Sequence, residues 1–436
     1  MITQSEFSRR RKQLMRMMDK DSIAIIPTTP EQIRNRDVEF PFRADSDFYY
    51  LTGFNEPDAV AVLVPGRRHG EFLLFCRERD PAMETWNGRR AGTEGAVADY
   101  GADDAFPIAD IDDILPGLLE DREQVFYTMG ARPEFDKSVM QWVNRIRQGN
   151  RSGARTPDKF IALEHLLHDM RLYKNRAEVR VMRKAAKVAC SAHIRAMRSC
   201  EPGMHEYEIE AELLHEFRRA GMVPAYSSIV GGGENGCILH YTRNSDRLED
   251  GDLLLIDAGA EYDCYASDVT RTFPVNGRFS APQKALYEVV LAAQTAAIKQ
   301  VRAGNHWNAP HVAAVRVLTR GLIKHGLLKG RPADLIRKEA YRRFYMHRTG
   351  HWLGMDVHDV GDYKVGGEWR VLEPGMVLTV EPGLYIPAGI RGVAKKWWNT
   401  GIRIEDDVLV TRGDPEVLTD AVPRTVAEIE ALMAAA

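Results

Sequence analysis

Four acidic side chains stand at the ends of strand-like runs in this sequence. Residues 253–256 and 377–380 are apolar and long enough for buried strands, and residues 267–273 and 401–405 are also strand-like. The acids at these positions are Asp257, Asp268, Glu381 and Glu405. Burying an ionised carboxylate costs free energy unless it is paired or bound to a metal, so the pattern indicates a cation site. Any one of these acids, taken singly, could equally face water.

A cluster of histidines adds nitrogen donors to this set. His347, His351 and His358 lie within twelve residues among glycines. Four carboxylates would repel one another unless two divalent cations neutralised them, and oxygen ligands with one imidazole suit Mn²⁺, with Co²⁺ or Zn²⁺ as substitutes. Two such ions about 3.5–4 Å apart can share a hydroxide nucleophile and stabilise the charge that develops on oxygen during hydrolysis. The sequence therefore predicts a hydrolytic site with two metal ions.

The composition is that of an ordinary globular protein. The chain has 436 residues, which leaves room for two or three domains, and 44% of them are hydrophobic. Lys and Arg number 59 against 62 Asp and Glu, for a net charge of -3. We therefore expect no nucleic-acid and no membrane partner.

Cysteine usage and the N-terminus favour a cytoplasmic protein. The five cysteines are scattered and form no CxxC pair, which favours a reducing compartment and argues against a thiolate zinc site. The sequence also lacks an apolar stretch of signal-peptide or membrane-spanning length.

Two domains are expected, with a boundary near residue 172. Alternating strand-like and helical runs predict an α/β domain over residues 1–172. Its first helix carries a basic run, residues 9–12, which we expect to form a solvated helix face. Residues 149–158 are the best linker candidate, and a second domain over residues 173–436 begins near Tyr173.

The second domain contains a weak internal repeat. A helix–turn–helix unit followed by strands begins at Asn175 and recurs from Ser280. This order predicts two related halves that pack their helices on one curved sheet. Between the halves, residues 231–236 spell the dinucleotide fingerprint GxGxxG. The next residues, 237–242, read as a strand rather than a helix, so we expect no nucleotide there.

Five motifs of the second domain are similar to those of the pita-bread metallopeptidases. They are LLIDAGAE, SDVTRTFP, GHWLGMDVHDVG, TVEPGLYI and GIRIED. More narrowly, the chain resembles the proline-specific aminopeptidase P family, whose N-terminal domain is similar to RADSDFYYLTGFNEPDAV and ETWNGRR. The resemblance covers nearly the whole chain. It implies an α/β (α+β) protein, with an N-terminal aminopeptidase P domain before a pita-bread catalytic domain of pseudo-two-fold repeat.

The resemblance also implies which residues bind metal and take part in catalysis. The implied metal ligands are Asp257, Asp268, His351, Glu381 and Glu405, with Asp268 and Glu405 bridging both ions. Glu381 would also handle the proton of the attacking water. His240 and His358 would contact the scissile carbonyl and the tetrahedral intermediate.

Residues for substrate binding follow from the same resemblance. His347 and Tyr385 would line a pocket for the proline ring, and Arg403 would hold Asp257 in position. Asp37 and Trp86 would close the substrate end, with Trp86 contributed by a neighbouring subunit. The resemblance implies a homotetramer, or a homodimer.

The implied activity is hydrolysis of the N-terminal Xaa-Pro bond of peptides with proline at the second position. That bond has a tertiary amide nitrogen without an N–H, so a peptidase that must bind the N–H cannot use it. A metal site that polarises the carbonyl can cleave this bond, because it does not need the N–H. Arg403 is the one arginine assigned near the proline pocket and is aimed at the metal acids. We therefore expect the side beyond the proline to be open for longer peptides.

Two alternatives remain. A prolidase shares these ligands but takes Xaa-Pro dipeptides, and it would need a cation for the free carboxylate of the proline. A pita-bread protein that only binds peptides is the alternative from another functional class. The intact ligand set argues against it, and a metal assay separates the two classes.

Overall fold

The computed structural model describes residues 1–149 and 153–435. The chain divides into two compact units, Met1–Arg171 and Leu172–Ala436. Part of the predicted linker, residues 150–152, lies outside the described residues. Each unit combines helices and strands, so the predicted α/β (α+β) class is confirmed.

A six-stranded mixed sheet forms the centre of the first unit. Its strands are β1 (Ser22–Pro27), β4 (Val60–Leu63), β5 (Phe72–Cys76), β6 (Asp104–Pro107), β7 (Gln124–Phe126) and β8 (Lys159–Ile161), and β2 (Ile33–Asn35) pairs separately with β3 (Val38–Glu39). The order in the sheet is β6-β5-β4-β1-β7-β8. β1 runs antiparallel to β4 and parallel to β7, and almost every residue of these apolar runs is buried.

Within the described residues, seven α-helices surround or follow this sheet. They are α1 (Gln4–Met17), α2 (Ser46–Thr52), α3 (Pro81–Asn87), α4 (Gly92–Ala98), α5 (Ile111–Leu119), α6 (Pro133–Gln148) and α7 (Glu164–Leu172). Leu115, Leu119, Val139 and Val143, from α5 and α6, complete a hydrophobic core with the strands.

The basic run of α1 is only partly the solvated face that the sequence predicts, since Arg9 and Lys12 are exposed. Arg10 and Arg11 are buried, with 0% and 5% of their surface exposed. The Arg10 guanidinium donates to the Tyr50 carbonyl over 3.0 Å, and Arg11 donates to the Leu51 carbonyl over 2.8 Å. Both arginines therefore donate to carbonyls in the last turn of α2, the part of a helix whose carbonyls lack the usual backbone donors of the following turn.

Two helix pairs carry the repeat of the second unit, and the predicted repeat is confirmed. The pairs are α8 (Arg176–Ser199) with α9 (Glu206–Arg219), and α10 (Ala281–Ile298) with α11 (Ala309–Lys324). Asn175 and Ser280 each begin the first helix of a pair with a capping box, in which the third helical residue bonds back to the cap. The shorter α12 (Pro332–Arg337) and α13 (Val426–Ala434) follow.

The sequence predicts one curved sheet, but the described strands of the second unit form several small antiparallel sheets instead. They are β9 (Val223–Pro224), β10 (Ile229–Gly232), β11 (Leu253–Asp257), β12 (Ala260–Tyr262), β13 (Tyr265–Ala266), β14 (Thr270–Pro274), β15 (Lys364–Val365), β16 (Glu368–Trp369), β17 (Val377–Val380), β18 (Gly383–Ile386), β19 (Thr400–Arg403), β20 (Asp406–Leu409) and β21 (Glu416–Val417). One sheet has the order β10-β11-β14, another β17-β20-β21, and β18 pairs with β19. The helices pack against these sheets in one continuous hydrophobic core.

The segment after the glycine-rich motif differs from its prediction. Residues 233–237 form a short 3₁₀ helix, and residues 238–242 are irregular rather than a strand. Across the described residues, no helix combines the length and the hydropathy that a membrane crossing requires.

Candidate active site

The five predicted metal ligands share one cavity of the second unit. The cavity measures about 550 Å³. Its walls include Asp257, Asp268, His351, Glu381 and Glu405. The carboxylate and imidazole atoms of Asp268, His351 and Glu405 lie within 4.8 Å of one another.

Asp257 and Asp268 come from neighbouring strands of one sheet. Asp257 is the last residue of β11, and Asp268 precedes β14, which pairs with β11. The Tyr226 hydroxyl lies between them, 2.6 Å from Asp257 Oδ1 and 2.5 Å from Asp268 Oδ1. Burial raises the pKa of Asp257. Burial also acts to raise the pKa of Asp268, but the hydrogen bond and charge of His351 outweigh it and lower that pKa.

His351 and Glu381 are brought together by β17. The His351 carbonyl accepts from the Thr379 N–H over 3.0 Å, which places the imidazole beside the end of that strand. A β-carbon at Gly350 would lie 2.0 Å from the Thr379 carbonyl oxygen, so only glycine permits this approach. His351 Nε2 is 3.4 Å from Asp268 Oδ2 and 3.7 Å from Glu381 Oε1.

The pKa values of His351 and Glu381 follow from this geometry. Burial acts to lower the pKa of His351, but the carboxylates of Asp268 and Glu381 raise it to about 9. Burial raises the pKa of Glu381 to about 7. In the metal-free protein, protons therefore occupy positions that a cation would take.

Glu405 lies between β19 and β20 and is 2% exposed. The Thr270 hydroxyl donates to Glu405 Oε2 over 2.6 Å and accepts from Arg403 Nε over 3.0 Å. Arg403 Nη2 donates to Asp257 Oδ2 over 2.6 Å. Burial and the neighbouring acids raise the pKa of Glu405 well above its usual range.

The donor set fits divalent metal. Four buried or half-buried carboxylates face Arg403 and the protonated His351. The raised pKa values of Asp257, Glu381 and Glu405 mean that these two cations do not supply enough positive charge to keep all four acids ionised. Buried carboxylates that remain uncompensated are costly, and oxygen ligands with a single imidazole suit Mn²⁺ and similar ions. Asp257, Asp268, His351, Glu381 and Glu405 are the residues that would hold such ions.

The predicted histidines line the same cavity. His240, His347 and His358 all contribute to its wall, and the His358 ring stands edge-on to His351 with centroids 4.4 Å apart. Burial and the charge of His351 lower the pKa of His358. His347 Nε2 lies 2.9 Å from the Tyr385 hydroxyl.

Asp37 and Trp86 belong to the first unit. Asp37 is exposed in the turn between β2 and β3. Trp86 lies on α3 with 84% of its surface exposed. Their part in closing the substrate end stays a prediction.

The sequence matches a family model over most of the second unit. Residues 180–412 match metallopeptidase family M24. The chain belongs to this family. Residues 7–127 match the aminopeptidase P N-terminal domain, so the predicted resemblance and the hydrolase class of this M24 peptidase are both confirmed.

Several close relatives of the chain are Xaa-Pro aminopeptidases. The Escherichia coli enzyme is 45% identical over 100% of this chain and 99% of its own length. The structure of Pseudomonas aeruginosa aminopeptidase PepP has a TM-score of 0.99 and 63% identity, covering 100% of this chain and 98% of that one. Zn-substituted E. coli aminopeptidase P in complex with product has a TM-score of 0.97 and 45% identity, covering 100% and 99%. These relatives do not favour the prolidase alternative.

Three residues of the site escaped sequence reasoning. Tyr226 and Thr270 hold the acidic ligands. Thr270 lies in the motif SDVTRTFP, but nothing in that motif indicates that its hydroxyl binds Glu405, and Tyr226 lies in none of the five motifs. Arg348 also lines the cavity, so Arg403 is not the one arginine there, and the sequence expectation was wrong on this point. Arg348 follows His347 directly in the sequence, and this position could have indicated that it lies in the cavity.

Proposed function

We propose that this M24 peptidase is a dinuclear aminopeptidase that removes the first residue from peptides with proline in the second position. The observation that carries the proposal is the meeting of four carboxylates and His351 on one cavity wall. Mn²⁺ is the proposed metal, with Co²⁺ or Zn²⁺ as substitutes. Asp268, His351 and Glu405, whose ligand atoms lie within 4.8 Å of one another, would be among the residues that hold the ions.

The catalytic roles divide between metal and protein. When bound, the ions supply positive charge that polarises the scissile carbonyl and acidifies the attacking water. Glu381 takes the proton of that water, because its carboxylate lies in the cavity wall among the ligands that would hold the ions. His358 is neutral at that pH because its pKa is lowered, so it donates an N–H to the oxygen on which negative charge develops. His240 acts on the same carbonyl. It lies in a different segment of the cavity wall, together with Leu239 and Thr242.

Recognition of proline is assigned to His347 and Tyr385. Burial and the charge of Arg403 lower the pKa of His347 to about 3, so its imidazole is uncharged at neutral pH. An uncharged ring beside Tyr385 offers the ring of a substrate proline an apolar face. Arg403 Nη1 donates to the Tyr385 hydroxyl over 3.1 Å while Nη2 holds Asp257, so one guanidinium supports both the pocket and a metal ligand.

A pair of variants tests the separation of metal binding from catalysis. Asp268→Asn is expected to lower metal occupancy, measured by elemental analysis. His358→Ala is expected to retain metal and to lower kcat by about 10²–10³, the loss typical of one oxyanion donor. Near-normal turnover in His358→Ala would remove His358 from catalysis, and full occupancy in Asp268→Asn would remove Asp268 from the ligands.

We further propose a cytoplasmic homotetramer of two-domain subunits, with residues 1–172 as the N-terminal domain and 173–436 as the catalytic domain. Large hydrophobic side chains are exposed on β2, β3 and α3 or close to them: Ile33, Val38, Phe40, Met83 and Trp86. Exposed apolar residues of this kind mark interaction surfaces when they gather in a patch. Met83 and Trp86 lie three residues apart on α3, so they offer apolar surface for a neighbouring subunit to cover.

Sedimentation equilibrium tests the assembly. We expect the mass of four chains at concentrations where the enzyme is active. Trp86→Ala is expected to raise KM, whereas Met140→Ala, which truncates another exposed hydrophobic residue on α6, should leave KM unchanged. A stable monomer with full activity would contradict the proposal.

A further inference from the structure

The segment that carries His240 is irregular. Residues 238–246 connect the 3₁₀ helix at 233–237 to the approach of β11 without regular strand or helix. A catalytic group must nevertheless be held to within a fraction of an ångström, because misplacement by about 1 Å can cost 10²-fold in rate. Something other than secondary structure must therefore fix this segment.

A single buried carboxylate binds the segment at several points. Glu206 is the first residue of α9 and is 0% exposed. Its Oε1 accepts from the Gly232 N–H over 2.8 Å and from Asn235 Nδ2 over 2.9 Å. Its Oε2 accepts from the Tyr241 hydroxyl over 2.7 Å and from the Asp246 N–H over 2.9 Å.

These four donors lie on both sides of His240. Gly232 and Asn235 belong to the glycine-rich motif before it, while Tyr241 and Asp246 follow it. The carboxylate therefore ties both ends of the segment to the first turn of α9. The positive end of the helix dipole also favours an acid at this position. The motif GGGENG, which binds no nucleotide by the sequence argument, here forms half of the Glu206 site.

The same motif packs directly on the strand that leads to Arg403. A β-carbon at Gly401 would lie 1.9 Å from the Gly236 carbonyl oxygen, so β19 and the motif meet backbone to backbone. Tyr241 packs in one small hydrophobic cluster with Ile229, Leu255 and Tyr385. The residue next to His240 thus bonds to the buried acid and shares a hydrophobic cluster with Tyr385.

We propose that Glu206 is a positioning residue for the reaction, which fixes His240 against the scissile bond by ordering residues 232–246. The inference rests on the proposed catalytic role of His240. It predicts that the function of Glu206 in turnover is exerted through His240 and not through the metal ligands.

The test is a double-mutant cycle with Glu206→Gln and His240→Ala. Glutamine keeps the shape of the side chain but turns an amide donor toward two of the four donors, which disorders the segment. We expect Glu206→Gln to lower kcat about 10- to 100-fold, with metal content unchanged. In the His240→Ala background the same substitution should have no further effect on kcat. Equal factors in both backgrounds, or an unchanged kcat in Glu206→Gln, would overturn the inference.

A second readout does not depend on activity. Amide hydrogen exchange of the metal-free protein should quicken over residues 232–246 in Glu206→Gln. The matched control is Glu178→Gln, which alters another buried carboxylate that accepts a tyrosine hydroxyl, from Tyr265 over 2.8 Å. We expect this control to leave both kcat and exchange over residues 232–246 unchanged. Unchanged exchange in Glu206→Gln would contradict the inference.

Two further variants separate the possible failures. If Glu206→Gln does not fold, Tyr241→Phe removes one of the four donors and must show the same dependence on His240 with a smaller loss. An unchanged kcat in His240→Ala alone would instead refute the proposed role of His240, whatever Glu206 does to exchange.

Discussion

Removal of divalent metal with EDTA is expected to abolish peptide hydrolysis, and Mn²⁺ is expected to restore it. Four carboxylates and His351 line one cavity, where Arg403 pairs with Asp257 and the His351 imidazole pairs with Asp268. The bound metal is expected to contribute several kcal/mol of transition-state stabilisation, so kcat/KM should fall by at least about 10³. Release of the first residue is measured beside elemental analysis, and full activity in metal-free protein would refute the two-metal proposal.

The pH dependence of metal binding gives this prediction a second measurement. In the metal-free protein the pKa of His351 is about 9 and that of Glu381 about 7, so at neutral pH His351 holds a proton and Glu381 is partly protonated. Metal must displace these protons, so metal affinity should weaken as the pH falls from 8 to 6. Calorimetry in buffers of different ionisation enthalpy counts the protons released. Binding without proton release would remove His351 from the ligand set.

The acidic ligands could be predicted from the sequence because their signals are local. Asp257 and Glu381 each follow a short apolar run, and the structure makes those runs β11 and β17, with each acid at a strand end. A short run of this kind needs no knowledge of the rest of the chain to be recognised as a strand. The capping boxes at Asn175 and Ser280 are likewise local, and they located the two helix pairs of the repeat.

The residues that hold those ligands could not be predicted, since their contacts depend on the complete fold. Tyr226 reaches Asp268 across 42 positions of sequence, and Thr270 reaches Glu405 across 135. Tyrosine and threonine are common in strands for reasons of packing alone, so their type carries no signal of a site. Only the pairing of the strands brings these hydroxyls to the carboxylates.

The two wrong local predictions have the same physical origin. Residues 237–242 have the composition of a strand, but Glu206 binds the Tyr241 hydroxyl, and Asn244 adopts a positive φ of 46° while its side chain accepts from the Val230 N–H. Arg10 and Arg11 have the composition of a solvated face but bond to carbonyls 40 positions away. In each case a tertiary hydrogen bond overrides a weak local preference.

Changes in substrate length and in the residue after the scissile bond are expected to have the second largest effect on kcat/KM. On Mn²⁺-loaded enzyme, Ala-Pro-Ala should be cleaved with kcat/KM well above that for Ala-Pro, and Ala-Ala-Ala should hardly be cleaved. Loss of the proline ring leaves the pocket at His347 and Tyr385 unfilled. One missing methylene in such a pocket costs about 10- to 200-fold, so loss of the ring should exceed about 100-fold. Released alanine is measured in all three reactions.

Arg348 decides how the comparison of Ala-Pro with Ala-Pro-Ala is interpreted. A dipeptidase needs a cation for the carboxylate of the proline, and Arg348 lines the cavity beside His347. Its guanidinium is already engaged, since Nη2 donates to Asn308 Oδ1 over 2.8 Å and Cζ lies 5.0 Å from the centre of the Trp369 ring. We therefore expect Arg348→Ala to leave the preference for the tripeptide unchanged. A clear preference of the unaltered enzyme for Ala-Pro that Arg348→Ala abolishes would assign the enzyme to the dipeptidases, because a carboxylate would then be drawing Arg348 away from Asn308 and Trp369.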